Sequence, residues 1–482
     1  MTIQIPIHGK DTKSMFFGNE ILVSYFFQAE VQMTLPTVTL EVTHVPTTSL
    51  KPQPQNPRVH SDKQVQQIAR SIETFGFNVP ILVDNRLNVV AGHGRLFAAK
   101  KLGLKTVPVI RLKHLSESQY KAFLIADNRL TENSSWDERL LGEQLKVLSE
   151  SELNFDLEVI GFETAEIDVR IDGLETIAVP DPDDDLQALE TSAVSVEGDL
   201  WQLGKHRGLC GNSLLLENYD RLREGAKADL VITDPPYNVV IQGHASGLGG
   251  TRHREFQMAS GEMSVGEFTE FLGKAMALAI LSSQPGSLAY FFMDWRHVLQ
   301  ILAAGELVYG ELKNLCVWAK NNGGMGSFYR SAHELIFVFK NGEAPHCNNV
   351  QLGKYGRNRS NVWNYPSANS FSRSGPDGDL LALHPTPKPV ALIADAIKDS
   401  TRRGALILDP FLGSGTAVIA AERAGRVCYG LELDPLYVDA VIRRLQRHDK
   451  REAIHIESGD SFGVREARKA NQGTSTSEMK GE

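Results

Sequence analysis

One short stretch limits the architecture of this chain more than any other: an apolar run that stops at two consecutive prolines. Residues 228–233 are rich in β-branched side chains, which predicts a buried strand. The prolines lack a backbone N–H and therefore end it, at the edge where open α/β sheets bind ligands. The site residues are Asp234, Pro235, Pro236 and Tyr237. They predict a receptor for a planar base with an exocyclic amine, and the alternative is a loop capped by an aspartate.

A second strand that ends in Asp-Pro lies far downstream and is followed by a glycine-rich turn and a helix. Residues 406–409 are apolar up to Asp409. Strand, glycine turn and helix form a nucleotide-binding unit, because glycines let a ligand approach the backbone closely. The next strand, 427–432, ends at Glu432, where a ribose-binding carboxylate is expected. Val418 stands where a dinucleotide fingerprint needs its third glycine, which argues against NAD.

Together these stretches resemble the DNA methyltransferases that modify amino groups with S-adenosyl-L-methionine. In that family the tetrad holds the target amine and the glycine turn holds the cofactor. The tetrad precedes the glycine turn here, as in the permuted β class, and the resemblance covers roughly residues 196–447. It implies a Rossmann-like α/β sheet and double-stranded DNA as the substrate. The implied cofactor-binding residues are Asp409, Pro410, Phe411, Gly413, Ser414, Gly415, Thr416, Glu432, Asn212, Thr386 and Lys388.

Two of these assignments depend on local features. Asn212 stands where the family usually has an acid near the adenine of the cofactor. An amide both donates and accepts hydrogen bonds, so it can still bind an adenine edge. Thr386 and Lys388 lie in a His-Pro-Thr-Pro-Lys-Pro turn, which the resemblance places against the cofactor carboxylate. A plain helix-entry turn is the alternative.

A basic and aromatic stretch lies in residues 344–373, which contain no Asp or Glu. Basic and aromatic side chains on a polar loop suit contacts to phosphates and bases. We therefore predict a target-recognition region here, with a polar surface insertion as the alternative. The predicted DNA contacts are Lys354, Arg357 and Arg359, together with Arg330 from an earlier loop.

Residues 37–150 predict a separate, smaller α/β domain. A turn from Gly92 to Arg95 opens a helix there, and a helix N-terminus with an arginine suits an anion. This stretch resembles the ParB-like N-terminal domain, whose Gly-x-x-Arg turn contacts nucleotide phosphates. The resemblance implies a nucleotide bound at Gly92 and Arg95, and a structural ion pair of Arg95 is the alternative. We expect His93 to be a structural turn residue.

The rest of the sequence sets outer limits. A chain of 482 residues suits two or three domains. Its four cysteines form no C-x-x-C pair, which argues against zinc and disulfides and fits a reducing cytoplasm. The apolar runs are too short to span a membrane. Around the ParB-like domain we expect an unpatterned extension (1–36), an acidic linker (151–196), a methyltransferase domain (197–455) and a disordered tail (456–482).

Two functions of different classes remain open. The first is a site-specific methyltransferase for N6 of adenine, or for N4 of cytosine, although an Asp in the first tetrad position favours adenine. The second is a non-catalytic DNA- or nucleotide-binding factor. The net charge of −9 argues mildly against nucleic acid, but much of it comes from residues 181–199, which we expect to be a solvated spacer. The tetrad, the glycine turn and Glu432 favour the enzyme, which needs no metal; a homodimer stays open.

Overall fold

Over the residues that it describes, the computed structural model contains two β-sheets, one of four strands and one of ten. The predicted N-terminal extension lies outside the described residues, as does Thr386. Within the described part of the chain, no helix has both the length and the apolar character needed to cross a bilayer. The described residues are 40–174, 181–184, 189–239, 258–321, 323, 328–366 and 388–478.

The N-terminal domain packs helices against a small mixed sheet. Its elements are β1 (Val42–Pro46), α1 (Asp62–Phe75), β2 (Ile81–Val83), β3 (Val89–Ala91), α2 (His93–Lys101), β4 (Thr106–Arg111) and α3 (Glu117–Glu132). The strand order is β1-β4-β2-β3. Helix α1 begins where predicted, because the Ser61 side chain accepts a hydrogen bond from the backbone N–H of Gln64. It ends at Gly76, whose φ of 86° favours glycine. The smaller α/β domain predicted from the sequence is confirmed.

The junction between the domains is helical over much of its length. Helices α4 (Glu138–Glu150) and α5 (Thr164–Asp172) pack around a shared core that includes Leu145 and Ile167. The predicted acidic linker is therefore wrong for the part of the junction up to residue 174. Helix α4, predicted to belong to the N-terminal domain, packs with α5 instead.

One acid within the predicted linker is buried between the junction and the larger domain. Asp168 of α5 is 1% exposed. Its carboxylate accepts hydrogen bonds from Arg403 at 2.7 Å and from Arg426 at 2.8 Å. Local composition did not indicate this burial, because these arginines lie more than 230 residues further along the chain.

The short acidic segment 181–184 is also docked rather than solvated. Asp181 accepts hydrogen bonds from Arg423 at 2.5 and 2.6 Å. Asp184 accepts one from the backbone N–H of Val390 at 2.7 Å and so satisfies a donor at the start of a helix. The prediction of a solvated spacer is wrong for these residues, because their acids neutralise basic groups of the larger domain.

The larger sheet carries the predicted catalytic strands. Its strands are β5 (Leu200–Leu203), β6 (His206–Cys210), β7 (Ala228–Thr233), β8 (Ser283–Met293), β9 (Leu312–Ala319), β10 (His333–Lys340), β11 (Val362–Asn364), β12 (Leu406–Asp409), β13 (Val427–Glu432) and β14 (Ala453–His455). The order is β11-β9-β10-β8-β7-β12-β13-β6-β5-β14. Strands β8, β7, β12, β13 and β6 are parallel, and β10 is antiparallel to β8. From β7 the chain continues to β8 on one side, and from β12 to β13 on the other, so a ligand crevice is expected between β7 and β12.

Helices cover both faces of this sheet, as the Rossmann-like prediction requires. They are α6 (Leu216–Arg223), α7 (Val265–Leu281), α8 (Val298–Val308), α9 (Val390–Ser400), α10 (Thr416–Arg423) and α11 (Pro435–Asp449). Helices α9 to α11 share one core with Leu230 and Ile232 of β7, whereas α6 to α8 share the other with Val231. A strand buried on both faces reads as a continuous apolar run, which is why β7 was predictable.

The C-terminal segment ends in a helix rather than in the predicted disordered tail. Helix α12 spans Phe462–Glu478. The buried Phe462 ring lies 5.5 Å from the ring of Trp201, and Arg465 pairs with Asp199 at 3.1 Å. The prediction is wrong for this helix, because its first turn is anchored by an aromatic contact and an ion pair that composition does not reveal.

Candidate active site

The tetrad lies at the carboxyl end of β7, next to the end of β12. Pro235 is buried, whereas Asp234, Pro236 and Tyr237 are half-buried. The Tyr237 hydroxyl donates a hydrogen bond to Asp234 Oδ1 at 2.5 Å. The structure thus brings the four predicted catalytic residues to the edge of the sheet that the sequence indicated.

Asp234 has a second partner that the sequence did not predict for it. Lys388 Nζ donates a hydrogen bond to Asp234 Oδ2 at 2.5 Å. Each carboxylate oxygen has a further lone pair, so the Asp234 carboxylate can still accept a hydrogen bond from a substrate. Burial raises the pKa of Asp234, and the charge of Lys388 offsets only part of that rise.

Two residues that sequence reasoning missed complete this group. Glu334 is 5% exposed, and its Oε2 lies 3.1 Å from Lys388 Nζ and 3.3 Å from the Tyr237 hydroxyl. Lys320 Nζ donates a hydrogen bond to Glu334 Oε1 at 2.5 Å. We call Asp234, Tyr237, Lys320, Glu334 and Lys388 the catalytic cluster. A signal was present in the sequence: an acid near the start of an apolar strand, β10, which runs antiparallel to β8 and so begins at the catalytic edge.

The glycine turn joins β12 to α10. Gly413 and Gly415 have φ angles of 52° and 79°, a region that glycine adopts without strain. A Cβ at Gly415 would also lie 2.9 Å from the Val441 side chain. Gly413 N donates a hydrogen bond to Glu432 Oε2 at 2.8 Å, which ties the turn to the end of β13. Pro410 is buried, and the Phe411 ring lies 5.8 Å from a ring of α7, so packing contacts support the turn.

A buried arginine, Arg444, forms hydrogen bonds with Ser414 and Thr416 of the turn. Arg444 Nη1 donates hydrogen bonds to the Ser414 carbonyl at 2.9 Å and to Thr416 Oγ1 at 3.1 Å. The other arm of the guanidinium donates to the Asp183 carbonyl at 2.7 Å. The acidic segment 181–184 is therefore connected to the glycine turn through Arg444.

Two carboxylates, the buried Asp409 and the half-buried Glu432, line the crevice edge at the turn. Burial raises the pKa of Asp409 to about 7 and that of Glu432 to about 7. Neither forms an ion pair with a Lys, Arg or His among the described residues. Thr233 Oγ1 donates a hydrogen bond to Asp409 Oδ1 at 2.6 Å, which connects the tetrad strand to the glycine-turn strand. The two predicted sites are therefore adjacent.

Asn212 lies beside this edge, immediately after β6. Its Oδ1 accepts a hydrogen bond from the backbone N–H of Leu214 at 2.8 Å. The neighbouring Gly211 N donates to the Glu432 carbonyl at 2.8 Å. The structure therefore brings Asn212 near the acid of β13, and its contact with an adenine stays a prediction.

Two of the predicted DNA contacts are turned inward, which corrects the prediction. Arg357 is 8% exposed and donates a hydrogen bond to Asp399 at 2.8 Å. Arg359 pairs with Asp395 at 3.1 Å. We call these four residues the arginine cluster. The counter-ions lie on α9, outside the acid-free stretch 344–373, so the local sequence suggested a free basic surface that does not exist at these positions.

The other two predicted DNA contacts face solvent. Lys354 is exposed, with its ammonium 5.0 Å from the centre of the Tyr355 ring. Arg330 is exposed on the loop between β9 and β10, next to two exposed aromatic residues, Phe328 and Tyr329. Contacts of Lys354 and Arg330 with DNA stay predictions.

The candidate phosphate site of the N-terminal domain has a well-defined turn. Gly92, with φ of 98°, caps the N-terminus of α2. Burial lowers the pKa of Arg95, and its buried Nε has no hydrogen-bond partner among the described residues. His93 Nε2 accepts a hydrogen bond from Gln53 N at 3.2 Å, and burial lowers the pKa of His93 to about 4. The structural role predicted for His93 is confirmed, and phosphate binding at Gly92 and Arg95 stays a prediction.

This fold and this site define a class of protein: an α/β methylase whose tetrad and glycine turn meet at one sheet edge, preceded by a ParB-like domain. Residues 228–443 match the family described as DNA methylase. Residues 31–128 match the ParB N-terminal domain, and residues 139–197 match the ParB-methyltransferase HTH domain. Residues 228–443 therefore form a DNA methylase domain of the type that modifies N6 or N4 amines, and both ParB-related domains precede it.

Individual relatives are similar to one or the other part of this chain. The ParB-like nuclease domain-containing protein YnaK of Escherichia coli (strain K12) is 41% identical over 80 residues, which are 17% of this chain and 92% of YnaK. The Type II methyltransferase M.HpaI of Haemophilus parainfluenzae is 26% identical over 254 residues, 50% of this chain and 74% of that enzyme. The crystal structure of the M1.HpyAVI–SAM complex covers 48% of this chain and 93% of its own, with 21% identity and a TM-score of 0.35.

Proposed function

We propose that this protein transfers a methyl group from S-adenosyl-L-methionine to N6 of adenine in double-stranded DNA, at a specific site. The observation that carries the proposal is the Asp234–Tyr237 tetrad at the end of β7, joined by the Thr233–Asp409 hydrogen bond to the glycine-turn strand. A target amine bound at the tetrad would thus face a ligand bound at the turn. Asp in the first position favours adenine over cytosine.

The residues around the glycine turn are suited to this cofactor. S-adenosyl-L-methionine carries a sulfonium and an ammonium group and supplies an activated methyl group when bound. The buried Asp409 and the half-buried Glu432 have no cationic partner among the described residues, and a cationic ligand would favour their charged forms. Glu432 would hold the ribose hydroxyls, and Gly413 and Gly415 let the ligand approach the backbone.

The tetrad would prepare the amine. The adenine amine is a poor nucleophile because its lone pair is delocalised into the ring. Asp234 would accept a hydrogen bond from one N–H of the amine, and the Pro235 carbonyl would accept one from the other N–H. This arrangement favours a pyramidal nitrogen. The Asp234 carboxylate would also stabilise the positive charge that develops on that nitrogen. The base must leave the helix to reach this edge, because a paired base cannot enter such a site.

The test is to incubate the purified protein with unmethylated genomic DNA and S-adenosyl-L-methionine, then to analyse the digested nucleosides by mass spectrometry. N6-methyladenine is expected, and it should be absent when Asp234→Asn replaces the wild type. N4-methylcytosine would keep the reaction and change the base. Folded protein that binds the cofactor by calorimetry but yields no methylated nucleoside would overturn DNA as the substrate.

We also propose that the turn at Gly92 and Arg95 binds the phosphates of a nucleotide. Two observations support it: the left-handed cap at Gly92, and the Arg95 Nε that has no hydrogen-bond partner among the described residues. Calorimetry with each nucleoside triphosphate should show binding to the wild type, and Arg95→Met should weaken it at least 10-fold (about 1.4 kcal/mol). Equal binding by both proteins would contradict the assignment.

A further inference from the structure

The catalytic cluster contains two carboxylates and two lysines, and this balance needs an explanation. Glu334 and Lys388 are each 5% exposed, and burying charge costs free energy that their mutual attraction does not reliably recover. A buried ion pair is therefore weak evidence of a stabilising role. This one lies at the sheet edge that carries the tetrad, beside Asp234.

Glu334 shares its donors with Asp234. The Tyr237 hydroxyl lies 2.5 Å from an oxygen of Asp234 and 3.3 Å from an oxygen of Glu334. Lys388 Nζ lies 2.5 Å from Asp234 and 3.1 Å from Glu334. Tyr237 and Lys388 are each held between the two carboxylates, so both side chains of the pair have restricted orientations.

A third contact keeps Glu334 itself in place. Lys320, at the end of β9, binds the oxygen of Glu334 that does not face Lys388. Every oxygen of Glu334 is thus engaged by a donor of the cluster. Asp234, in contrast, is half-buried, and its two oxygens each have one donor of the cluster. Only the Asp234 end of the cluster is arranged to receive a substrate.

We propose that Glu334 and Lys388 are positioning residues for methyl transfer: Lys388 holds the Asp234 carboxylate, and Glu334 holds Lys388 and Tyr237, so that Asp234 meets the target amine in one orientation. The proposal rests on the function proposed above. It assigns Lys388 a role at the target amine, whereas the sequence resemblance implied one at the cofactor carboxylate.

The charges of the cluster predict the direction in which the pKa of Asp234 should change when a neighbour is replaced. Lys388 favours the ionised form of Asp234, whereas Glu334 disfavours it. Among the described residues, three further charged groups act on this pair and its partners: Lys320 of the cluster, beside Glu334, and outside the cluster Asp409 on β12 and Asp294 after β8. Because these three remain unchanged, replacing Lys388 should raise the pKa of Asp234, and replacing Glu334 should lower it.

The first experiment measures kcat and KM across pH for the wild type, Glu334→Gln and Lys388→Met. Both variants should lose about 10- to 100-fold in kcat, with the KM values for DNA and cofactor within about 3-fold of the wild type. The acidic limb of kcat should move to lower pH in Glu334→Gln and to higher pH in Lys388→Met, each by about one pH unit. Limbs that stay fixed or move in the same direction would contradict the proposal.

A matched control distinguishes an effect that is specific to the cluster from a general effect on protein stability. Lys340 lies at the opposite end of β10 from Glu334. It is 8% exposed and pairs with Glu311 at 3.7 Å. Lys340→Met should lower the thermal unfolding temperature without moving the pH limb. If it moves the limb as Lys388→Met does, the effect is not specific to the cluster.

A second readout does not require activity. In protein labelled with ¹³C at the aspartate carboxyl carbons, the Asp234 signal is identified by its loss in Asp234→Asn. Its titration midpoint should rise in Lys388→Met and fall in Glu334→Gln. A wild type that methylates no DNA would remove the proposed function, whereas unchanged midpoints would remove the positioning role, so the two failures are distinguishable.

Discussion

The catalytic cluster and the arginine cluster are built from the same kinds of side chain but serve different ends. Each pairs two acids with two bases. The catalytic cluster lies at the carboxyl edge of the sheet, and its tetrad side chains are half-exposed there. The arginine cluster joins the segment before β11 to α9, and its Arg357 is almost fully buried. Under the proposed function, position relative to the sheet edge, rather than residue type, distinguishes a reactive group from a structural one.

The sharpest test of this comparison is Asp234→Asn. Turnover should fall by about 10³-fold or more, because the amide cannot stabilise charge on the target nitrogen. Cofactor affinity by calorimetry should stay within about 3-fold, since the glycine turn is untouched. The unfolding free energy should change little, because Lys388 keeps Glu334 as a partner. A variant with near-wild-type turnover would contradict the mechanism.

The converse test is Arg357→Met in the arginine cluster. Removing one partner of a buried ion pair should lower the free energy of unfolding by about 3 kcal/mol, measured by denaturant titration. Turnover per folded molecule should be unchanged. Lys354→Met is the control, since this nearby lysine is exposed and should cost less than about 0.5 kcal/mol. Loss of DNA affinity in Arg357→Met without loss of stability would restore the DNA-contact prediction.

A third test concerns Asp409 and Glu432, which lack the basic partners that both clusters have. Their pKa values of about 7 lie above those of unfolded carboxyls, so the folded state holds protons that the unfolded state releases. The unfolding free energy should therefore decline as pH rises from about 4.5 to about 7, by about 1–3 kcal/mol per carboxyl. Glu432→Gln should remove its share of the decline in denaturant titrations at several pH values. An identical slope in this variant would contradict the assignment.

The smallest expected effect belongs to the exposed Arg330. If it contacts a phosphate, Arg330→Gln should weaken DNA binding a few-fold at low salt and reduce the slope of log K against log salt by about 1. Fluorescence anisotropy at several salt concentrations measures both. An unchanged slope would leave Arg330, like Arg357, without a DNA contact.

The sequence predicted what is encoded locally and missed what depends on distant partners. Strands β7 and β13 were predicted with their observed bounds, because continuous apolar runs between turn residues identify buried parallel strands. Glu334 was missed because its partners, Lys320 and Lys388, come together only when β9, β10 and the start of α9 assemble.

The errors have the same origin. Arg357 was predicted to be free because its acids lie about 40 residues away on α9. Asp168 was assigned to an acidic linker and segment 181–184 to a solvated spacer, because their arginines lie more than 230 residues away. In each case composition described the segment correctly, but the charge was balanced by a distant part of the chain.

The burial of Asp168 between Arg403 and Arg426 has a consequence for how the chain can be divided. A fragment that starts at the methyltransferase strands would leave two arginines without their shared carboxylate, one of them completely buried. A fragment that stops after α5 would expose an acid that is covered in the whole protein. We therefore expect the helical junction and the methyltransferase sheet to unfold as one cooperative unit, so the boundary between them is a poor place for a cut.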